Sequence, residues 1–207
     1  MYKRQVDSEP GSYLYCGLSR DASKEEILER INNNTITDIL NKIEVKAGDV
    51  VMVKAGTIHA IGAGVFICEI QQNSNCTYRM YDYDRRDKFG NPRELHVKKA
   101  LDVVDNHKYI KDNKTEVVIA RNEHFTEERL VQCKYFEVYK YDVNDEAKIT
   151  VDEASFVSVL FINGSGTIET DDYEKTMEFK AGDSFFVSAG LRSIIIKGQA
   201  TMVVTRV

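Results

Sequence analysis

Two stretches of this chain share one frame: "KAGDVVMVKAGTIHA", residues 46–60, and "KAGDSFFVSAGLRSI", residues 180–194. Each runs Lys-Ala-Gly-Asp, four residues, one variable residue, then Ala-Gly. Gly-Asp at the head predicts a tight turn, the next four or five residues a short strand, and the second Ala-Gly another bend. Three residues past that second glycine the copies part, with His59 in the first and Ser193 in the second. A frame written twice predicts two similar β units. An imidazole written once predicts that only the first does chemistry. By position His59 lies just past a turn at the edge of a barrel wall, where its ring can project toward a cavity. A lone histidine is more often a hydrogen-bonded structural residue, and spacing alone leaves both readings open.

Around the two copies the chain is punctuated by short β-rich runs: "GVFICEI", "TYRMYDY", "EVVIA", "YFEVYKY", "FVSVLFI", "GTIET", "SIIIK" and "TMVVTRV". Glycine or Asn/Asp pairs separate many of them, and only two prolines occur. That pattern predicts a mainly-β sandwich or barrel. Three helices interrupt it. "SKEEILERI" has Ser23 and Glu26 at capping-box spacing, with Ile27, Leu28 and Ile31 on one face. Ile36, Ile39, Leu40 and Ile43 suggest a second short helix, and "NPRELHVKKALDVVD" a third, with Asn91 as cap and Pro92 in its first turn. The polar stretch "DNHKYIKDNKTE", residues 105–116, is the expected connector between a first unit, 1–104, and a second, 117–207.

With 207 residues and 43% apolar composition the chain has enough material for a packed core. No apolar run nears the roughly 20 residues that span a bilayer, and "MYKRQVDSEPG" has no apolar signal region. The four cysteines, Cys16, Cys68, Cys76 and Cys133, form no CxxC pair, which fits free thiols in a reducing cytoplasm. A net charge of -5, with acidic and basic residues interspersed, gives no basic face for nucleic acid. A small anion needs only a few local cations, and "YRMYDYDRRDKFGNPRE" supplies Arg79, Arg85, Arg86, Lys88 and Arg93. The plain alternative for most of these is a solvated, turn-rich strand end.

The repeated frame resembles the second sequence motif of the cupins: Gly, five residues, Pro-x-Gly, two residues, His. Gly48, Gly56 and His59 match it position by position, with Lys54 where proline is usual. Gly182 and Gly190 match it again, with Ser188 at the proline position and Ser193 at the histidine. Within the cupins, "AGTIHAIGAGVFICEIQQNSNCTYRMYDYDR", residues 55–85, resembles the active-site segment of type I mannose-6-phosphate isomerases in their short bacterial form. "EPGSYLYCGL", "GNPRELHVKKALDV" and "GDSFFVSAGL" extend the likeness over nearly the whole chain from about residue 7.

The resemblance implies jelly-roll cupin barrels and interconversion of mannose 6-phosphate and fructose 6-phosphate through a metal-stabilised enediolate. It implies one Zn2+ per intact catalytic barrel, with His59 as a metal ligand and Arg79 as the active-site arginine. Glu69 lines the same pocket as a proton shuttle or, equally, as an ion-pair partner of Arg79. Arg85 falls near a basic position tied to the substrate phosphate. A guanidinium stays charged at any working pH, which suits it to enediolate or phosphate oxygens. His96, His107 and His124 lie away from ligand spacing and read as structural or solvent-facing.

One imidazole cannot hold a catalytic zinc. The family's first cupin motif, with its Gln, its His in a His-Pro-Asp context and its Glu, has no counterpart here, since the chain contains neither HxH nor His-Pro. The expectation is therefore the C-terminal part of a longer enzyme, with an incomplete first barrel and a complete metal-free second one. Such a chain is expected to be inactive alone, poorly metallated and prone to associate. Its expected partner is a small-molecule hexose phosphate, without nucleic acid or membrane, and its parent protein a monomer or weak dimer. The alternative is a non-catalytic cupin that binds sugar or regulates.

Overall fold

A computed structural model describes residues 1–74, 76–111, 117–171 and 175–207 of the chain. The chain is mainly β, with two α-helices among the described residues, and divides into compact units, Met1–Lys111 and Asp112–Val207. The strands and turns of each unit follow from the same frame. In the first copy the Lys46 N–H donates to the Asp49 carboxylate at 2.9 Å, and the Asp49 N–H to the Lys46 carbonyl at 3.1 Å. In the second copy Lys180 and Asp183 make the same two bonds at the same two lengths. Gly48 and Gly182 turn the chain with φ of 92° and 91°, and Gly56 and Gly190 both with φ 80°. These are backbone conformations in which only glycine avoids a Cβ clash.

In the first unit β1 (Tyr2–Ser8) lies between β4 (Val50–Met52) and β6 (Val65–Ile70) in a three-stranded antiparallel sheet. A second such sheet sets β2 (Tyr13–Leu18) between β3 (Leu40–Glu44) and β5 (His59–Ile61). Leu14, Cys16, Val45, Val51 and Val53 form the core of this β part. Helix α1 (Lys24–Asn32) starts where the capping-box spacing predicts, with the Ser23 hydroxyl accepting from the Glu26 N–H. Its Ile27 and Ile31 are buried with Leu18, Ile36, Ile39 and Leu40.

Two helices differ from expectation. Ile36–Ile39 is a single 3-10 turn, and Leu40 already begins β3. The third helix, α2 (Val97–Val103), is capped at His96 rather than Asn91. Residues 91–96 are instead drawn into a loop, in which the Arg79 carbonyl accepts from the His96 N–H at 2.7 Å and Arg93 pairs with Asp82. "TYRMYDY" is likewise no strand, and Tyr83 and Asp84 turn it with φ of 56° and 49°. Residues 105–111, read as the start of a connector, are tied to the first unit through Asp105 N–H to Gly56 and Tyr109 N–H to Leu18. Residues 112–116 lie outside the described residues.

The second unit is one sheet in the order β12-β11-β14-β9-β8-β7, where β7 is Val117–Arg121, β8 Phe125–Gln132, β9 Glu137–Val143, β11 Val157–Thr170, β12 Thr176–Lys180 and β14 Arg192–Arg206. β10 (Glu146–Val151) pairs with β14, and β13 (Ser184–Val187) with β11. A register shift between Phe161 and Asn163 marks a bulge in β11 along β14, the device that lets a long strand bend around a core. That core includes Val159, Phe161, Ile194, Ile196, Met202 and Val204, none more than 1% exposed.

Candidate functional site

Side chains directly opposite in an antiparallel pair lie on one face. His59 opposes Cys16, and Ile61 opposes Leu14, so both point with the two buried core residues. Yet His59 and Ile61 are exposed while Cys16 and Leu14 are not. The inner face of this sheet is therefore open to solvent at the β5 end. On the facing sheet Lys3 opposes both Val51 and Glu69, which puts it on the Val51 side, the core side. Lys3 is 3% exposed and ion-paired with Glu69. Gln5, two residues along, shares the face of Lys3 by strand alternation.

The His59 ring is oriented locally. Its Nδ1 lies 3.0 Å from the Thr57 carbonyl oxygen. A carbonyl only accepts, so Nδ1 carries the proton and Nε2 keeps its lone pair. An imidazole held this way is suited to ligate a metal through Nε2. Desolvation is the main cause holding its pKa below the usual value, with the Lys3 ammonium adding to it; the Thr57 bond and Glu69 work the other way. The shift favours the neutral ring, the form a metal ligand takes. Burial also pushes up the Cys16 thiol, which Tyr109 and Lys3 pull back in part.

The expected site residues divide into three sets. His59 and Glu69 come together, with Lys3 between them electrostatically. Glu69 is thereby the partner of Lys3, and its expected pairing with Arg79 is replaced. Arg79 instead sends Nη1 to the Glu94 carbonyl at 3.1 Å, and its N–H meets His96 Nδ1 at 3.3 Å. Arg85 belongs to a third constellation, where Asp82, 6% exposed, receives Arg85 Nη2 at 2.5 Å and Arg93 Nε at 2.7 Å. Arg93 and then Arg85 hold the Asp82 carboxyl far below the usual carboxylate range. Two guanidiniums on one carboxylate leave this loop net positive. Cys68 is buried, and desolvation raises its pKa to about 11, which fits its reading as core.

Sequence reasoning missed Lys3, Gln5 and Asp82. The alternation of Lys3 and Gln5 was a usable signal, but charged "YKRQ" reads as a solvated leader. Nothing local shows that Asp82 is buried between arginines that follow it.

As a zinc centre the residues present are incomplete. His59 offers one suitable nitrogen, but Glu69 is committed to Lys3, and among the described residues no three His, Cys, Asp or Glu side chains converge. A catalytic zinc takes three protein ligands. In the second unit Ser193, at the histidine position, is 2% exposed and donates to Asp171, which also pairs with Lys148 at 3.2 Å. That position is sealed by polar contacts rather than opened.

Two framed β units, one with a histidine and one with a serine three residues past the second glycine, define a cupin protein whose candidate site lies in the first unit. Comparisons with known proteins give the family. The model of the mannose-6-phosphate isomerase cupin domain matches residues 126–207. YvyI of Bacillus subtilis (strain 168), named as a candidate mannose-6-phosphate isomerase, is 41% identical over 190 residues, 89% of this chain and 57% of YvyI. The crystal structure of the Bacillus subtilis mannose 6-phosphate isomerase is similar with a TM-score of 0.89 and 34% identity, covering 100% of this chain and 64% of that one. The Salmonella typhimurium enzyme, bound to fructose 6-phosphate and zinc, shares the fold with a TM-score of 0.66 at 12% identity, covering 99% of this chain and 65% of that one. The chain belongs to the mannose-6-phosphate isomerase family. It spans between 50% and 62% of the length of the curated relatives it matches.

Proposed function

We propose that this chain contributes the His59 side of a cytoplasmic hexose-phosphate isomerase site, and that the remaining metal ligands come from polypeptide beyond these 207 residues. The observation that carries the reading is the His59 ring on the open inner face, its Nδ1 tied to Thr57 and its Nε2 left with its lone pair free. The length of the relatives and the zinc and fructose 6-phosphate bound by the Salmonella typhimurium protein support it. Free cysteines, two of them buried, accord with a reducing compartment. Among the described residues no helix is long and apolar enough to cross a membrane.

The reaction assigned is the transfer of a proton between C2 and C1 of the open-chain sugar, with a second proton moving between O1 and O2 through an enediolate. Glu69, ion-paired with Lys3, is the candidate group for the carbon-bound proton. Arg79 is assigned to the enediolate oxygens, and Arg85, with Arg93 sharing its carboxylate, to the phosphate. Because the donor set is incomplete, no step is assigned to the metal.

The test joins the 207 residues to the part of YvyI that they do not span and follows mannose 6-phosphate conversion and bound zinc. The joined protein is expected to retain zinc and turn over, and His59→Ala to remove both. The 207-residue chain alone is expected to do neither. Equimolar zinc and turnover from that chain alone would contradict the incomplete donor set. A zinc-loaded joined protein without turnover would contradict the isomerase assignment.

A further inference from the structure

The second unit has a cleft of its own, with a volume of about 400 Å³, within the range of small-molecule sites. Tyr135 in the β8–β9 turn forms one wall, Asp152 and Phe156 ahead of β11 another, and the end of β14 supplies Arg206. Arg206 opposes Val157 on β11 and Glu137 on β9. Val157 is 1% exposed and part of the core, so this arginine stands on the core face of the sheet, at its open end. An arginine so placed ordinarily pairs with a carboxylate. Glu137, directly opposite, is engaged elsewhere: Gln132 Nε2 donates to its Oε1 and the Tyr139 hydroxyl to its Oε2 at 2.5 Å. The Arg206 guanidinium lies instead over the Tyr139 ring, 5.8 Å from its centroid, and among the described residues it donates to no oxygen. The rings nearby are also only partly covered. Tyr135 is 50% exposed, and Phe156, half-buried and outside the core cluster, packs on the exposed Phe186 with ring centres 4.8 Å apart.

We propose that this cleft binds a small aromatic monocarboxylate, with its carboxylate on the Arg206 guanidinium and its ring against the aromatic walls. The inference stands apart from the isomerase reading and uses no residue of the first unit. A planar guanidinium meets a carboxylate through two parallel N–H···O bonds, and Arg206 has its donors available for them. The Tyr139 ring, already against the guanidinium, supports the cation without competing for those donors. A flat ring on the ligand gives Tyr135 and Phe156 a partner for stacked or edge contacts. Phosphate is the less suitable anion. Glu137 and Asp152 line the same cleft, and their charges oppose a dianion twice as strongly as a monoanion. An aliphatic acid carries the right charge but leaves the rings without a partner.

The test uses the whole 207-residue chain with chelator present, so that metal binding plays no part. Benzoate, acetate, benzyl alcohol and phenyl phosphate are each titrated into isotope-labelled protein, while NMR follows the Arg206 side chain and the rings of Tyr139 and Phe156. Benzoate is expected to shift all of these resonances. It is expected to bind at least about tenfold more tightly than acetate or benzyl alcohol, and more tightly than phenyl phosphate. Arg206→Gln should weaken benzoate at least about tenfold and leave benzyl alcohol unchanged. Phe156→Ala should weaken benzoate and leave acetate unchanged. His59→Ala should bind benzoate as the wild type does. If Arg206→Gln fails to fold, the wild-type ranking of the four probes decides. Benzoate leaving the Arg206 and ring resonances in place overturns the proposal, as does acetate or phenyl phosphate binding as tightly as benzoate. Unchanged benzoate affinity in Arg206→Gln overturns it too, and loss of benzoate binding in His59→Ala would do so by placing the ligand in the first unit.

Discussion

The twofold frame contains its own control experiment, at Gly56 and Gly190. Both hold φ at 80°, so an alanine at either suffers the same backbone penalty, about 1–2 kcal/mol. Their surroundings differ. A Cβ on Gly190 would meet only Glu153 Cγ at 3.9 Å, an ordinary contact with a movable side chain. A Cβ on Gly56 would meet the Val103 carbonyl oxygen at 2.7 Å and the Asp105 nitrogen at 3.2 Å, both backbone. Relieving that overlap must move the segment held by the Asp105 to Gly56 hydrogen bond, 2.9 Å long, and overpacking of this kind adds about 1–3 kcal/mol. Gly190→Ala should therefore cost the second unit about 1–2 kcal/mol, and Gly56→Ala should cost the first unit about 2–5 kcal/mol. A global midpoint mixes two units, so native-state hydrogen exchange by mass spectrometry is the suitable assay, read separately on peptides from 1–111 and 117–207. Equal losses in the two variants, or a larger one at Gly190, would refute the reasoning that the site turn is braced from behind. A second readout is local: Gly56→Ala should displace His59, three residues on, and shift its ring resonances, whereas Gly190→Ala should not.

Other consequences are simpler. Phe161, 1% exposed and stacked on Phe179 with ring centres 3.7 Å apart, should cost about 3–5 kcal/mol on truncation to alanine, read as exchange protection lost in the second unit alone. His124 and Asp145 pair at 2.9 Å, which raises the histidine from 6.5 and lowers the aspartate from 3.8. The histidine's stabilisation is complete below its unfolded pKa and fades as pH rises through the folded one. The aspartate's is complete above its unfolded pKa and fades as pH falls through the folded one. The pair should thus help most between those ordinary values, and His124→Gln should flatten that dependence in a pH series of melting temperatures. Thiol labelling should find Cys76 first in the native chain, with Cys16 and Cys68 reacting only on unfolding, since both are buried and burial has raised their pKa values. Cys16 labelling as fast as Cys76 would mean that the inner face of the first unit is open far deeper than His59.

Much of this protein follows from one dimension. The frame predicts its own turns because Gly at positive φ and Asp three residues after Lys are local requirements, met within five residues at 46–49 and 180–183. The same holds for α1, whose cap and buried stripe need no distant partner. Where distant partners enter, the local pattern misleads. The periodicity of 91–105 is helical throughout, yet Asp82 claims Arg93 and Arg79 claims the His96 N–H, so residues 91–96 stay out of the helix. Glu69 has an arginine ten residues on, but strand pairing places Lys3, sixty-six residues away, directly opposite it. The sequence determined which residues could do chemistry, through turn geometry and motif. Only the tertiary structure decided which of them meet, because facing positions on paired strands are set by register, and register joins residues far apart along the chain.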